Sequence, residues 1–239
     1  MIRSLATMGL SLLLATAAVA EDFGVPSTVE RWAFDVMLDK RKIGIHRFEL
    51  IQGGDSIELR SDAKFDVKIL FINAFRYRHQ STERWRDGCL VSLNADTDSN
   101  GDKLSVAGSA SEDGFLVDGK TGEETITTDC MMSFAYWNPA IIEQSALLNS
   151  QTGDYQRVEI RRVGEETIRA AGGDYPAVRY DIDTGKGVIK LWYGAETDRW
   201  LALEAPAKGD RTIRYRLRDD ITLADTRISL PQGVIRNDI

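Results

Sequence analysis

The fold of this chain is decided by two stretches, IELRSDAKFDVKI at residues 57–69 and FRYRHQSTERW at residues 75–85. In both stretches apolar and polar side chains alternate, which is the period of a β-strand with one covered face and one face in water. The covered face is interrupted by four polar residues, namely Ser61, His79, Ser81 and Glu83. Polar groups in a covered face need partners, so the same stretches that indicate the fold also raise a functional question.

Strand patterns of the same kind continue along the chain, separated by turn signals such as Asn100-Gly101. One helix is predicted over residues 138–150, because Asn138 is a good N-cap and Pro139 suits the first helical position. The sequence therefore predicts a mainly β fold. Its core would be one large curved antiparallel sheet, a half-barrel or barrel of about 10–12 strands, with one short helix packed against it.

Residues 1–20 have the pattern of a secretory signal, with one basic residue, an apolar core and a small-residue cleavage site near Ala20. The apolar part is shorter than the roughly 20 residues that a membrane-spanning helix needs. We therefore expect a periplasmic or secreted protein without a transmembrane segment in the mature chain. Residues 21–218 are predicted to form a single β-rich domain, and residues 219–239, where periodicity is weak, a loosely ordered C-terminal tail.

Composition excludes some classes of partner. The chain has 30 basic and 37 acidic residues and a net charge of −7, whereas nucleic acids and anionic membrane surfaces attract basic proteins. We therefore expect no nucleic-acid partner. The sequence contains no phosphate-binding loop, dinucleotide fingerprint or nucleophile elbow, and no cofactor is predicted.

Two cysteines, Cys89 and Cys130, would lie in an oxidising compartment after export. A disulfide between them would close a loop of about 40 residues and stabilise the fold by roughly 3–4 kcal/mol. The alternative is two separate buried thiols. The sequence leaves this choice open, since it does not show whether the two side chains meet.

A calcium-loop opening occurs at Asp96, Asp98, Asn100 and Gly101, where oxygen ligands alternate before a glycine. The twelfth position is Ala107, although a bidentate glutamate is required there. An acidic hairpin tip therefore explains the motif better. His46 and His79 have no metal-ligand spacing, and no metal site is predicted.

The candidate ligand-binding residues are the polar ones of the covered face together with nearby tryptophans: Ser61, His79, Ser81, Glu83, Trp85, Trp137 and Trp192. His79 and Glu83 are roughly 13 Å apart along a strand, too far for direct contact. Both can nevertheless line one cavity, where they would orient a ligand or act as an acid–base pair. The alternative is that these polar residues are satisfied within a partly hydrated core. No catalytic residue is assigned.

An apolar connection, Leu70-Phe71-Ile72-Asn73, joins the two opening strands where a turn is usually polar. An exposed apolar loop indicates a partner, a membrane contact or a lid. The alternative is a turn folded against the end of the sheet.

Several short motifs resemble a bacterial secreted family classified as a domain of unknown function. The motifs are Ile43-Gly44-Ile45-His46, Tyr77-Arg78-His79, Glu83-Arg84-Trp85, Trp137-Asn138-Pro139, Leu191-Trp192-Tyr193 and Arg199-Trp200-Leu201. The resemblance extends from about Trp32 to Leu217. More distantly, the chain is similar to the periplasmic lipoprotein carriers, which are curved antiparallel half-barrels around an apolar cavity. This resemblance implies a fold and an envelope location but no activity.

Three functions are compatible with these observations. The leading one is a non-enzymatic periplasmic binder or carrier of a lipid or another apolar or amphipathic ligand. The second is a hydrolase or isomerase that uses His79 and Glu83 in a sheet cavity. The third is an envelope structural or interaction protein that engages a protein partner through the connection from Leu70 to Asn73.

Overall fold

The computed structural model describes residues 28–69 and 72–218 of the chain. Within these residues there are fifteen β-strands and one short 3-10 helix. The predicted signal (residues 1–20), the predicted tail (219–239) and the loop residues Leu70 and Phe71 lie outside the described residues. Among the described residues, no helix has the length and apolar character needed to cross a bilayer.

The strands follow one another closely along the chain. The first eight are β1 (Thr28–Leu38), β2 (Arg41–Gly53), β3 (Ser56–Ile69), β4 (Ile72–Arg86), β5 (Cys89–Ser99), β6 (Asp102–Ser111), β7 (Gly114–Gly119) and β8 (Gly122–Ile126). The others are β9 (Ala146–Leu148), β10 (Tyr155–Arg157), β11 (Glu159–Ala170), β12 (Gly173–Asp183), β13 (Val188–Gly194), β14 (Trp200–Ala207) and β15 (Arg211–Leu217).

Thirteen strands form one antiparallel sheet in the order β11-β12-β13-β14-β15-β1-β2-β3-β4-β5-β6-β7-β8. Every neighbouring pair is a hairpin except β1 with β15, which joins the two halves of the chain. The sheet is not closed, since β8 and β11 are its two edges. The predicted fold class is therefore confirmed, and the sheet is an open half-barrel with more strands than the sequence indicated.

The two opening stretches pair as β3 and β4 and form the centre of one half of the sheet. Their register places Ser61 opposite Ser81 and Ala63 opposite His79, so the covered faces of both strands coincide. Alternate side chains of β3 are buried on this concave face. The opposite, convex face carries ion pairs, for example those of Glu58 with Arg60 and Arg84.

Gly44 lies beside a bulge in the pairing of β1 with β2, and its lack of a side chain lets β2 approach β3 closely. Val36 of β1 pairs with Gly44 and Met37 pairs with Lys42, so Ile43 is the extra residue of the bulge. A Cβ atom on Gly44 would lie 1.9 Å from the carbonyl oxygen of Lys64. Glycine is therefore required here by the neighbouring backbone.

Residues 127–158 leave the sheet and pack into its concave side; we call them the crossing segment. They contain β9, β10 and the 3-10 helix Pro139–Glu143. The predicted N-cap is confirmed, because Asn138 Oδ1 accepts the Ala140 N–H at 3.1 Å. The predicted extent of the helix to residue 150 is wrong. Leu147 and Leu148 are both fully buried and belong to β9, so tertiary packing and strand pairing override the helical spacing.

The crossing segment supplies much of the main core. Met132, Ile141, Leu147 and Leu148 are fully buried against the concave face of the sheet. A disulfide between Cys89 and Cys130, whose Cα atoms are 5.0 Å apart, fixes the start of the segment to β5. The crossing segment therefore fills one end of the half-barrel and leaves the other end open.

Candidate functional site

A cavity of about 790 Å³ lies between the concave sheet face and the crossing segment. Its size is in the range of small-molecule sites. Apolar and aromatic side chains make up most of its wall, among them Leu38, Ile43, Phe48, Leu59, Ala63, Phe65, Val67, Phe75, Phe134, Ala135, Tyr136, Trp137, Ile189, Trp200, Leu203, Ala205, Ala207, Ile213 and Tyr215. The cavity at the open end of the half-barrel therefore has a mainly apolar lining.

A line of polar side chains crosses the floor of this cavity from strand to strand. Tyr215 OH lies 3.2 Å from His46 Nδ1, and His46 Nε2 lies 3.2 Å from Ser61 Oγ. The hydroxyls of Ser61 and Ser81 are also 3.2 Å apart. His46, Ser61 and Ser81 come from the neighbouring strands β2, β3 and β4, and Tyr215 of β15 reaches His46 across β1, which lies between β15 and β2. We call this chain of hydrogen bonds the polar row.

The polar row contains a serine–histidine contact, an arrangement also used by hydrolases. Burial, with a further contribution from His79, lowers the pKa of His46 to about 3. An imidazole with such a pKa is a weak base, whereas a general base works best when its pKa is near the working pH. The contact between His46 and Ser61 therefore holds the two side chains in place without activating the serine.

His79 lies beside the polar row, opposite Ala63, and its Nδ1 atom is 2.9 Å from Thr97 Oγ1. Burial lowers the pKa of His79 to about 4, although Asp96 acts in the opposite direction. His79 is therefore neutral at neutral pH. Its imidazole offers the cavity a polar surface without a charge.

Glu83 lies deeper in the half-barrel, where both of its carboxylate oxygens are occupied. Ser133 Oγ donates to Oε1 and Trp85 Nε1 donates to Oε2, each at 3.1 Å. Burial raises the pKa of Glu83 to about 7, against the lowering effect of these two donors. Glu83 thus ties the crossing segment to β4, and its carboxylate is already fully engaged by protein groups.

Aromatic rings cover the cavity wall around the polar row. The ring of Trp200 is 5.5 Å from that of Phe48, 5.9 Å from that of Tyr215 and 5.6 Å from that of Tyr136. These spacings are typical of packed aromatic pairs. Trp200 therefore joins the sheet wall to the crossing segment at the centre of the site.

Five of the seven predicted ligand-binding residues line this cavity: Ser61, His79, Ser81, Glu83 and Trp137. Trp85 does not, because it packs behind the cavity with its ring 5.5 Å from that of Trp137. Trp192 does not either. Ile189 of the same strand lines the cavity, and a residue three positions further along a strand has its side chain on the opposite face.

Three residues of the site were not predicted as ligand-binding residues from the sequence: His46, Trp200 and Tyr215. His46 was considered only as a metal ligand. Tyr215 alternates with arginines in β15, so the period-two pattern contained the signal that it faces inward. The pairing of β15 with β1, which brings Tyr215 to His46, is a long-range contact that no local pattern reports.

The acidic motif at residues 96–102 forms the predicted hairpin between β5 and β6. Asn100 and Gly101 have φ values of 59° and 101°, which suit a tight hairpin turn. Asp98 accepts the Gly101 N–H and Asp96 accepts the Ser105 hydroxyl, so both carboxylates act within the hairpin. Across residues 28–69 and 72–218, no cluster of three or more His, Cys, Asp or Glu side chains has the arrangement of a metal site.

The open thirteen-stranded sheet, the crossing segment and the apolar cavity between them define a single-sheet β half-barrel with an internal cavity. Residues 34–218 match the model of the family described as Domain of unknown function (DUF6134). The chain therefore belongs to that family. The resemblance to a family of this kind is confirmed.

A solved structure shares the fold. It is the crystal structure of a beta-barrel-like protein of Domain of Unknown Function DUF1849 from Brucella abortus. The two chains are 12% identical and superpose with a TM-score of 0.58, over 80% of this chain and 97% of the other. This likeness concerns the fold alone. No curated protein matches the sequence.

Proposed function

We propose that this protein is exported to the bacterial envelope and binds an apolar or amphipathic small molecule, such as a lipid, in the cavity of its half-barrel. It acts as a binder or carrier and performs no chemistry on the ligand. The observation that carries the proposal is an apolar cavity of about 790 Å³ whose floor contains hydrogen-bonded polar residues.

The polar row suits a binding role because its members satisfy one another. Tyr215, His46, Ser61 and Ser81 form a continuous chain of contacts, so no ligand is needed to pair them. Burial keeps His46 neutral by lowering its pKa, which leaves the floor uncharged. An apolar part of a ligand can therefore lie over this floor without leaving a buried charge unpaired.

Trp137 supplies one donor that the protein itself does not satisfy. Its side chain lines the cavity and is buried, and its indole N–H has no hydrogen-bond partner among the described residues. An unpaired buried donor costs stability. A ligand with an acceptor atom at this point of the wall would remove that cost.

The enzymatic alternative has part of the geometry that it needs, since His79 and Glu83 line the same cavity. The carboxylate of Glu83 is engaged by Ser133 and Trp85, and burial lowers the pKa of His79 to about 4. Both features favour binding over acid–base chemistry. The alternative stays a prediction, and turnover of ester substrates that is lost in His79→Gln would support it.

The alternative of a protein partner rests on the apolar connection from Leu70 to Asn73. Phe75, which follows it at the rim of the cavity, is 38% exposed. Leu70 and Phe71 themselves lie outside the described residues, so the role of the connection stays a prediction. Loss of a partner in pull-downs with Phe71→Asp, with folding intact, would support it.

Export is supported by the signal pattern of residues 1–20 and by the disulfide between Cys89 and Cys130. Disulfides persist in oxidising compartments such as the periplasm and are rare in the cytosol. Cell fractionation of a tagged chain tests this part. Recovery of the chain in the periplasmic fraction without residues 1–20 is expected, and a cytoplasmic chain of full length would contradict it.

Native mass spectrometry of the protein purified from its own periplasm tests the binding proposal. We expect a population heavier than the bare polypeptide that loses its extra mass on organic extraction. A protein with the bare mass that binds no lipid or detergent monomer after purification would contradict the proposal.

A further inference from the structure

The charged residues at the cavity mouth indicate which kind of amphiphile binds. Three charged side chains occur among the described residues that line the cavity: Glu83, Lys208 and Arg211. Glu83 lies deep and is engaged by Ser133 and Trp85. In the outer part of the cavity, the charged side chains among the described lining residues are therefore both cations, although the chain as a whole has a net charge of −7.

Lys208 and Arg211 lie at the hairpin between β14 and β15, and this hairpin is part of the rim. It packs against the turn between β1 and β2, since the Asp39 N–H donates to Thr212 O at 2.8 Å and Asp39 Oδ1 accepts the Thr212 N–H at 3.0 Å. Asp39 is thus used to hold the two turns together. It does not line the cavity.

The two rim cations are available for a ligand. Both side chains are exposed, and neither forms an ion pair with any described residue. Many other arginines of the sheet are paired, as Arg214 is with Glu204 and Arg78 is with Asp66. Cations without carboxylate partners at the rim of an apolar cavity attract an anionic group, and a charge-assisted contact there is stronger than a neutral one.

The interior below this rim suits a hydrocarbon chain. Phe75 lies at the mouth and Glu83 lies deep, eight residues further along β4, which corresponds to about 26 Å of strand. Between them the wall is formed mainly by apolar and aromatic side chains, and the polar row is paired internally. A long acyl or alkyl chain therefore fits along this axis.

We infer that the ligand is an anionic amphiphile, held with its carboxylate or phosphate at Lys208 and Arg211 and its hydrocarbon chain along the cavity. This inference rests on the proposed binding function and adds the charge and the orientation of the ligand. A fatty acid and a phospholipid share this chemistry, and the test below separates them.

The test is isothermal titration of the protein, freed of lipid by organic extraction and shown to be folded, with four probes that share a twelve-carbon chain. They are dodecanoate, dodecyl phosphate, dodecyl maltoside and dodecyltrimethylammonium, each used below its micelle concentration in low salt. We expect one or both anionic probes to bind at least about tenfold more tightly than the neutral and cationic ones. A preference for dodecanoate points to a fatty acid, and one for dodecyl phosphate to a phospholipid.

Two double variants that remove the same amount of positive charge test whether the preference for anionic probes depends on Lys208 and Arg211. Lys208→Gln with Arg211→Gln should remove the anionic preference and leave dodecyl maltoside binding unchanged. Arg47→Gln with Arg216→Gln, on the convex face, lowers the net charge equally and should keep the preference. The inference would be overturned if all four probes bound equally, or if the double variant of Lys208 and Arg211 kept the preference for anionic probes. Either result would leave the binding function intact. Failure of every probe to bind would contradict the binding function itself.

Discussion

Ser133 of the crossing segment donates a hydrogen bond to Glu83 of β4, with 3.1 Å between the two oxygens, and both residues are buried. Trp85 donates to the other carboxylate oxygen of Glu83. These two bonds join the crossing segment to the sheet at the closed end of the cavity. One buried carboxyl group therefore holds the segment that shapes the site against the sheet.

The stability of the protein should depend on Glu83 in a defined pH range. Burial raises the pKa of Glu83 from 4.5 to about 7, so the folded state binds more protons than the unfolded chain between these values. The stabilising contribution is full below pH 4.5, falls as the pH rises and is lost above pH 7, by about 3 kcal/mol. Urea unfolding at pH 5, 6, 7 and 8 measures this slope.

Glu83→Gln should remove that slope, because glutamine does not titrate and still accepts a hydrogen bond from Trp85. The variant should lose stability relative to the wild type at pH 5 and recover it at pH 8. An unchanged difference between the two proteins across this range would show that Glu83 titrates normally.

His46 should have the opposite dependence on pH. Burial lowers its pKa from 6.5 to about 3, so its stabilising contribution is present above pH 6.5 and is lost as the pH falls towards 3. His46→Gln should therefore flatten the loss of stability between pH 6.5 and 4, as followed by circular dichroism in urea. The pH dependence of the unfolding free energy that His46→Gln removes should be opposite in sign to the one that Glu83→Gln removes. Equal signs would contradict the structure.

The disulfide should be a major source of stability. Cys89 and Cys130 are separated by 41 residues, and a bridge of that length stabilises by about 4 kcal/mol in the chain-entropy model. Cys89→Ser with Cys130→Ser should lower the free energy of unfolding by that order, and reduction of the wild type should reproduce the loss. Peptide mapping without reductant should recover the two cysteines in one linked fragment. Two free thiols in the purified protein would contradict the pairing.

Gly44→Ala should disrupt the contact of β2 with β3. The new Cβ atom would lie 1.9 Å from the Lys64 carbonyl oxygen, which is backbone and cannot move aside cheaply. We expect a loss of about 3 kcal/mol in unfolding free energy. Gly54→Asn is the matched control, because Gly54 has open space and a φ of 59° that asparagine tolerates. Similar effects of both substitutions would show that the close approach is unimportant.

The period-two pattern predicted the sheet well. Burial on one face of a strand produces an alternation of apolar and polar residues that is visible within each short stretch of sequence. Ser61, Ser81, His79 and Glu83 were found in this way, and the register of β3 with β4 places all four on the concave face. Trp192 does not line the cavity, because side-chain alternation along β13 places it on the face opposite to that of Ile189.

Long-range pairing could not be read from the sequence. The contact of Tyr215 with His46 depends on the pairing of β15 with β1, which joins the two halves of the chain. The helix predicted to residue 150 was too long. Leu147 is fully buried in a strand of the crossing segment, and the spacing of apolar residues along the sequence does not reveal this tertiary packing. The parts of the site that local sequence patterns did not predict are therefore those that depend on tertiary contacts.

A matched pair of substitutions on β14 tests whether the cavity holds a ligand. Ala205 lines the cavity and is only partly buried, whereas Ala202 is on the convex face of the same strand. Native mass spectrometry should show bound ligand on the wild type and on Ala202→Phe purified from the periplasm. Ala205→Phe, folded and with its phenyl ring in the cavity, should have the bare polypeptide mass. Equal ligand occupancy of the two variants would contradict ligand binding in this cavity.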